Sequence, residues 1–219
     1  MPLAIDWLGT VRYAEALATQ EQAVATRKAS GGPDRLLLLE HPPVVTLGRS
    51  AREENLRVPR AELVRQGIEV FEVPRGGDVT FHGPGQLVGY LIVDLAARGA
   101  PDVHSHLRRI EAALGEALAT LGVPSRTWAG RTGVFVEDPA AAVPRKIASI
   151  GVGVRGWVSW HGFALDVDMD LDAFHVIVPC GLADVEMTSV ARELGPAAGR
   201  GLGGRAREAV AAAFGAAWA

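Results

Sequence analysis

Only one cysteine, Cys180, occurs among the 219 residues of the chain. That scarcity excludes an internal disulfide framework and any zinc site built from several thiolates, and it fits a reducing compartment. An excess of positive charge is missing too, since 22 Lys and Arg face 25 Asp and Glu for a net charge of −3. Affinity that comes from neutralising many phosphates needs clustered cations, so nucleic acid is not an expected partner. No apolar run approaches the roughly 18 residues of a membrane-spanning helix. The opening Met1-Pro2-Leu3-Ala4-Ile5-Asp6 has no basic segment leading into an apolar one. A cytoplasmic protein without membrane contact is expected.

Several catalytic signatures are also absent. The chain has no Gly-x-x-x-x-Gly-Lys-Ser/Thr phosphate loop and no Gly-x-Ser-x-Gly elbow. Gly83-Pro84-Gly85-Gln86-Leu87-Val88-Gly89 lacks the spacing of a dinucleotide fingerprint. His104 and His106 lie two apart on a helical stretch and point in different directions, a poor metal pair. Neither a metal nor a bound cofactor is expected.

What the chain does have is apolar material: 48% hydrophobic residues against 21% charged ones, enough to bury a substantial core. One domain of the α/β class spanning residues 1–219 is expected, because no repeat or low-complexity linker marks a boundary. Leu3 to Leu8 reads as a strand, and an Ala-rich helix runs from about Val11 to Ala29 until Gly31-Gly32 stops it. Short apolar runs bounded by breakers predict buried strands at Arg35 to Leu39 and Val44 to Leu47, with another at Ile68 to Val73. A strand from Leu87 to Val93 precedes the clearest helix, with Leu107, Ile110, Leu114, Leu118 and Leu121 on one face and Gly122 at its end. Past Gly133-Val134-Phe135-Val136, Glu137 to Pro144 reads as a surface loop. Ile147 to Arg155 and Trp157 to Val167 read as an antiparallel hairpin of open turn type. A helix near Met187 to Leu194, a Gly-rich break and a helix from about Arg205 to Trp218 close the chain.

Five places invite chemistry. Cys180 stands between Pro179 and Gly181, in the sort of turn that exposes a nucleophile, although a lone cysteine also serves as a small buried hydrophobe. Lys146 heads the strand Lys146-Ile147-Ala148-Ser149-Ile150-Gly151; desolvated there its pKa would fall and it would accept protons, whereas solvated it is an ordinary strand-end lysine. His82 closes Asp78-Val79-Thr80-Phe81 where a strand meets a turn, a position that suits a cleft or a structural hydrogen bond. His161 beside Gly162 carries the same ambiguity. Arg75 with Gly76-Gly77 can present a cation and backbone N–H groups, or simply make a tight turn.

Together, five segments resemble one family. Glu40-His41-Pro42-Pro43, the run from Arg75 to Gln86, Lys146 to Gly151, His161-Gly162-Phe163-Ala164-Leu165 and Pro179-Cys180-Gly181 occur in order and resemble the lipoyl(octanoyl) transferases, over about Glu40 to Ser189. The resemblance implies the fold of biotin and lipoate protein ligase catalytic domains, an α/β (α+β) arrangement in which a mixed, largely antiparallel sheet carries packed helices. It implies octanoyl transfer from the thioester of octanoyl-acyl carrier protein to a specific lysine of the lipoyl domains of 2-oxoacid dehydrogenase complexes and of the glycine cleavage H protein. On the matching positions, Cys180 becomes the acylated nucleophile and Lys146 its proton-transfer partner. Arg75, Gly76, Gly77, Asp78, Val79, Thr80, Phe81, His82, Ser149, Ile150, Gly151, Gly162, Phe163 and Ala164 become substrate-binding residues, with His161 in a supporting role. A monomer is expected.

The implied chemistry is coherent, since a thioester already holds the activation that a free acid would draw from ATP. Seven carbons beyond the carbonyl, at about 0.8 kcal/mol per buried methylene, give a closed groove roughly 5 kcal/mol. Val79, Phe81, Ile150 and Phe163 are candidate walls of that groove, and equally candidate core residues. Acyl carrier proteins are acidic, so a basic face using Arg49, Arg52, Arg57 and Arg60 is expected. Three positions depart from the family's habit: Phe81 where tyrosine is common, Leu91 where proline is frequent and Asp166 in place of asparagine. Competing readings are an ATP-dependent lipoate or biotin ligase, a non-catalytic binder of acyl carriers and a cysteine hydrolase.

Overall fold

A computed structural model describes residues 2–138, 143–181 and 184–219, with Cys180 described by its backbone alone. In chain order the elements are β1 (Ala4–Thr10), α1 (Tyr13–Ser30), β2 (Arg35–Glu40), β3 (Val44–Leu47), α2 (Arg60–Arg65), β4 (Glu69–Glu72), β5 (Val79–His82), β6 (Gln86–Ile92), α3 (Val103–Thr120), β7 (Ser125–Trp128), β8 (Arg131–Val136), β9 (Arg145–Arg155), β10 (Val158–Asp166), β11 (Glu186–Met187), α4 (Val190–Leu194) and α5 (Leu202–Ala217). Short 3-10 turns at Glu53–Asn55, Leu171–Val176, Pro179–Gly181 and Gly195–Ala198 join them.

Strands β1-β2-β6-β10-β9-β8-β7 form the large sheet in that order, and β11 joins β9. The β1/β2 and β9/β11 pairs are parallel and the remaining pairs antiparallel. The mixed, largely antiparallel sheet with helices on it agrees with expectation. Its central strands are apolar on both faces because both faces are covered. Leu36 and Leu38 of β2 turn to the side of α3 and α5, meeting Ile110, Leu114, Leu118, Val210 and Phe214. Leu37 and Leu39, on alternate positions, turn to α1 and meet Ala16, Ala23 and Val24. A smaller sheet, β4-β3-β5, has its own apolar side around Val45, Leu47, Leu63, Phe81 and Phe174.

The β9–β10 hairpin closes through Gly156 and Trp157, with φ of 60° and 63° between the paired Arg155 and Val158. Two consecutive positive φ values are the signature of a type I′ turn, whose twist matches that of the strands. Elsewhere the element ends move by a few residues. Met187 is strand rather than helix: it pairs with Lys146, and α4 starts only after Ser189, whose side chain accepts from the Arg192 N–H. Helix α2 and strand β7 are additions to the sequence-based expectation. Of the loop expected over 137–144, residues 139–142 lie outside the described residues. Among the described residues, no helix is long and apolar enough to cross a membrane.

Candidate active site

The small sheet is fastened to the large one by the turn at 75–77. Beyond Ala148, β8 no longer pairs with β9, and the exposed carbonyl of Val152 accepts the Gly76 N–H at 2.8 Å. Arg75 ties the same turn back to β3. One guanidinium nitrogen donates to both the carbonyl and the hydroxyl of Thr46, each at 2.9 Å, and the other to the Gly76 carbonyl at 3.0 Å. Between this strap and the strands β6, β10 and β9 lies a cavity of about 220 Å³. That exceeds the ~150 Å³ apolar cavity that admits a benzene ring.

The sequence-predicted residues converge on it. Arg75, Gly77, Asp78, Val79, Thr80, His82, Lys146, Ser149, Ile150, Gly151, His161, Gly162, Phe163 and Ala164 all line the cavity. Gly76 and Phe81 do not. Gly76 spends its N–H on Val152, and Phe81 points into the small sheet's core, where its ring meets Phe174 edge-on at 6.0 Å. Strand alternation is the reason for Phe81, since Thr80 and His82 take the opposite side of β5. Tyr13, Val88, Tyr90 and Gly130 to Thr132, which sequence reasoning did not single out as site residues, complete the wall. Tyr13 is the first residue of α1, far away in the sequence, so no local pattern marks it.

Lys146 is 2% exposed. Its aliphatic stem fills the place a side chain at Gly133 would need: a Cβ there would stand 2.6 Å from Lys146 Cε and 3.1 Å from Nζ. Nζ also lies 5.7 Å from the Phe135 ring centre. The segments on either side of residues 182–183 both touch residues of the cavity wall. On one side, a Cβ at Gly181 (φ 65°) would come within 2.7 Å of the Asp78 carboxylate, which lines the cavity. On the other, β11 runs parallel to β9 with Met187 opposite Lys146, and the Thr188 N–H donates to the Lys146 carbonyl at 2.9 Å. Gly181 thus holds the 179–181 turn, which contains the backbone of Cys180, against Asp78 of the cavity wall.

Asn55 is a residue the sequence did not point to. Its side-chain amide donates to Asp78 at 2.6 Å, and its carbonyl accepts the Val178 N–H at 2.8 Å, so one residue grips both the aspartate and the cysteine turn.

Behind the cavity, polar groups are satisfied in relay. His82 Nδ1 donates to Gln86 Oε1 at 2.7 Å, and Gln86 Nε2 donates to Asp166 Oδ1 at 2.7 Å. Burial holds the His82 imidazole down to about 3, so it is neutral. Burial likewise pushes the Asp166 carboxyl up to about 8, which the Gln86 hydrogen bond and the Lys146 charge oppose. His41 Nδ1 donates to the Val11 carbonyl and its Nε2 accepts from Tyr90, both at 2.7 Å, and burial lowers its pKa to about 4. The expected basic face is largely neutralised: Arg52 pairs with Glu54, and Arg60 with Glu53 and Glu72.

The large and small sheets, with a cavity beside the 75–77 turn, make the fold found in the catalytic domains of lipoate and biotin protein ligases. The solved archaeal bipartite lipoate protein ligase of Thermoplasma acidophilum superposes with a TM-score of 0.76 at 20% identity, over 99% of this chain and 84% of that one. A biotin protein ligase of Aquifex aeolicus gives 0.52 at 11% identity, over 96% and 70%. Residues 12–203 match the model of the lipoyl protein ligase A/B catalytic domain, and the chain belongs to that family. Among similar curated proteins, the octanoyltransferase of Geobacter metallireducens is 48% identical over 86% of this chain and 82% of its own length. That of Mycobacterium leprae is 47% identical over 89% and 81%.

Proposed function

We propose that this chain is an octanoyltransferase acting on acyl thioesters, and that Cys180 carries the acyl group between donor and acceptor. The observations supporting it most directly are the closeness of Gly181 to Asp78, on the wall of the cavity that holds buried Lys146, and the pairing of β11 with β9 beside that lysine. The names of the curated relatives support octanoyl as the group moved.

In the first half-reaction the Cys180 thiolate attacks the octanoyl carbonyl of octanoyl-acyl carrier protein, and the pantetheine thiolate leaves and takes up a proton. Backbone N–H groups around the turn offset the charge on the tetrahedral oxygen. In the second, a lysine amine of a lipoyl domain attacks the enzyme thioester, loses a proton and expels the Cys180 thiolate. At neutral pH only about one such amine in a few thousand is uncharged, so a base is required, and Lys146 is the group in place. The acceptors are the lipoyl domains of 2-oxoacid dehydrogenase complexes and the glycine cleavage H protein. The product is the precursor of the lipoate cofactor. The enzyme works as a monomer in the cytoplasm, one unit spanning 1–219, with Arg75 to His82, Ser149 to Gly151 and Gly162 to Ala164 around the acyl chain.

Intact-mass measurement after mixing with octanoyl-acyl carrier protein, without ATP, tests this. The wild type gains one octanoyl and discharges it onto a lipoyl domain, while Cys180→Ser gains none. A requirement for ATP and free octanoate would instead make the chain a ligase.

A further inference from the structure

The two ends of the cavity differ. At one end Gly130, Arg131 and Thr132 are half-buried or exposed, and they adjoin Gly133, against which Lys146 packs. This is the mouth. Lys146 lies near the start of β9, whereas His161 stands opposite Val152 near its far end. A strand rise of about 3.3 Å per residue separates those two levels by roughly 20 Å. At the level of His161 the wall is made by Tyr13, Arg75, His82, Tyr90 and His161 itself, none more than 8% exposed. An apolar chain that enters beside Lys146 therefore runs toward this buried polar cluster.

Most of that polar ring is already occupied. His82 bonds Gln86, Tyr90 donates to His41, and Arg75 serves Thr46 and Gly76. His161 differs: neither ring nitrogen has a hydrogen-bond partner among the described residues, at 1% exposure. Its backbone is also held in the left-handed region, φ 56°, in the middle of β10, where its N–H donates to the Gln20 side chain at 2.9 Å. A non-glycine residue kept in that region within a strand is strained, and such strain collects at sites that bind ligands. Buried polar atoms are nearly always paired, so an unpaired imidazole on a cavity wall points to a ligand group.

Resting on the octanoyltransferase reading, we propose that the end of the cavity farther from Lys146 is a hydrogen-bonding subsite centred on His161, and that the enzyme therefore also transfers acyl chains ending in a hydroxyl, such as 8-hydroxyoctanoyl. A neutral imidazole offers one donor and one acceptor, which a hydroxyl complements on both counts. Burial keeps that ring neutral, its pKa lowered to about 3. A terminal carboxylate is disfavoured, because it meets a neutral ring, neutral tyrosines and a guanidinium already bonded to Thr46 and Gly76. The transfer itself is unchanged: the same thioester forms at the other end of the chain.

The test is loading of the full-length enzyme by octanoyl, 8-hydroxyoctanoyl and 7-carboxyheptanoyl pantetheine thioesters, with kcat/KM read by intact mass. The hydroxyl chain is expected within about tenfold of octanoyl, and the carboxylate chain on the order of a hundredfold or more below it. His161→Phe is expected to lower the hydroxyl-to-octanoyl ratio on the order of a hundredfold, and any loss common to both substrates cancels in that ratio. If that variant does not fold, the wild-type ratio decides alone. Octanoyl loading with the hydroxyl chain rejected by about a hundredfold, as an apolar pocket would reject it, overturns the subsite and leaves octanoyl transfer standing. Loading of neither chain overturns both.

Discussion

Gly181 leans its backbone on the carboxylate of Asp78, so closely that a Cβ would stand 2.7 Å from Oδ2 and 3.2 Å from the Asn55 amide nitrogen. Its φ of 65° adds a second reason why no side chain belongs there. Gly181→Ala should cost about 1–2 kcal/mol of stability, and roughly 2–8 °C in Tm. Activity should suffer more. A cysteine displaced by about 1 Å loses on the order of a hundredfold in kcat. Parallel melting curves and acyl-loading rates check this; a variant with wild-type loading would mean that the Asp78 contact does not set the cysteine's position.

Asn55 completes the clamp from the other side, and its chemistry gives a pH signature. Asn55→Ala removes one hydrogen bond to a charged group, about 1.5–3 kcal/mol of positioning, with no new titration. Asn55→Asp sets a second carboxylate at the 2.6 Å distance now spanned by the amide. Like charges so close force one pKa upward. The aspartate variant should therefore approach wild-type kcat/KM in acid, where one carboxyl keeps its proton, and fall away as pH rises through the raised value. A pH–rate profile of the two variants decides the matter, and parallel curves would refute the clamp.

Much of the fold was legible because burial wrote it into local pattern. The leucines of β2 and the Leu107 to Leu121 stripe of α3 face cores on the side their spacing implies. Pro179-Cys180-Gly181 and Lys146 drew notice as residue types out of keeping with their surroundings. Asn55, Tyr13 and His161's unpaired ring are another matter, because each owes its role to partners brought in by the tertiary fold. Strand β7 was missed because Ser125-Arg126-Thr127-Trp128 has little to bury: only one side of it is paired, at the sheet's edge. Arg52 and Arg60 read as basic in the chain and are neutralised in space by Glu53, Glu54 and Glu72. Charge arithmetic along a sequence does not see such pairing.

Four buried histidines make the protein acid-sensitive. Burial lowers His41 and His106 to about 4 and His82 and His161 to about 3. As pH falls below about 6.5 the unfolded chain takes up these protons first, so stability present above that pH is lost until the folded values are reached. Each histidine steepens the loss by about tenfold in the folding constant per pH unit. His106 packs on Trp218, 5.9 Å between rings, away from the cavity. His106→Phe should reduce the acid slope by about one proton, as read from melts between pH 4 and pH 7. An unchanged slope would show that His106 is not buried as a neutral ring.

Asp166 works in the opposite sense. Its carboxyl is 1% exposed, only Oδ1 is bonded, and Oδ2 has no partner among the described residues. The folded value near 8 lies above the unfolded 3.8, so the folded state holds a proton that the unfolded chain gives up. The contribution of Asp166 to stability is therefore complete below about pH 4 and declines as pH rises toward 8. Asp166→Asn keeps the shape and the acceptor for Gln86 but cannot ionise. The variant should match wild type near pH 4 and be more stable by about 1–3 kcal/mol at pH 8.5, with the gap opening between those limits. Because Lys146 feels the same carboxylate, the variant's kcat/KM profile should also lose an inflection near pH 8. Melts and rates that match wild type at both pH values would mean that Asp166 is already ionised at neutrality and that its charge is met elsewhere.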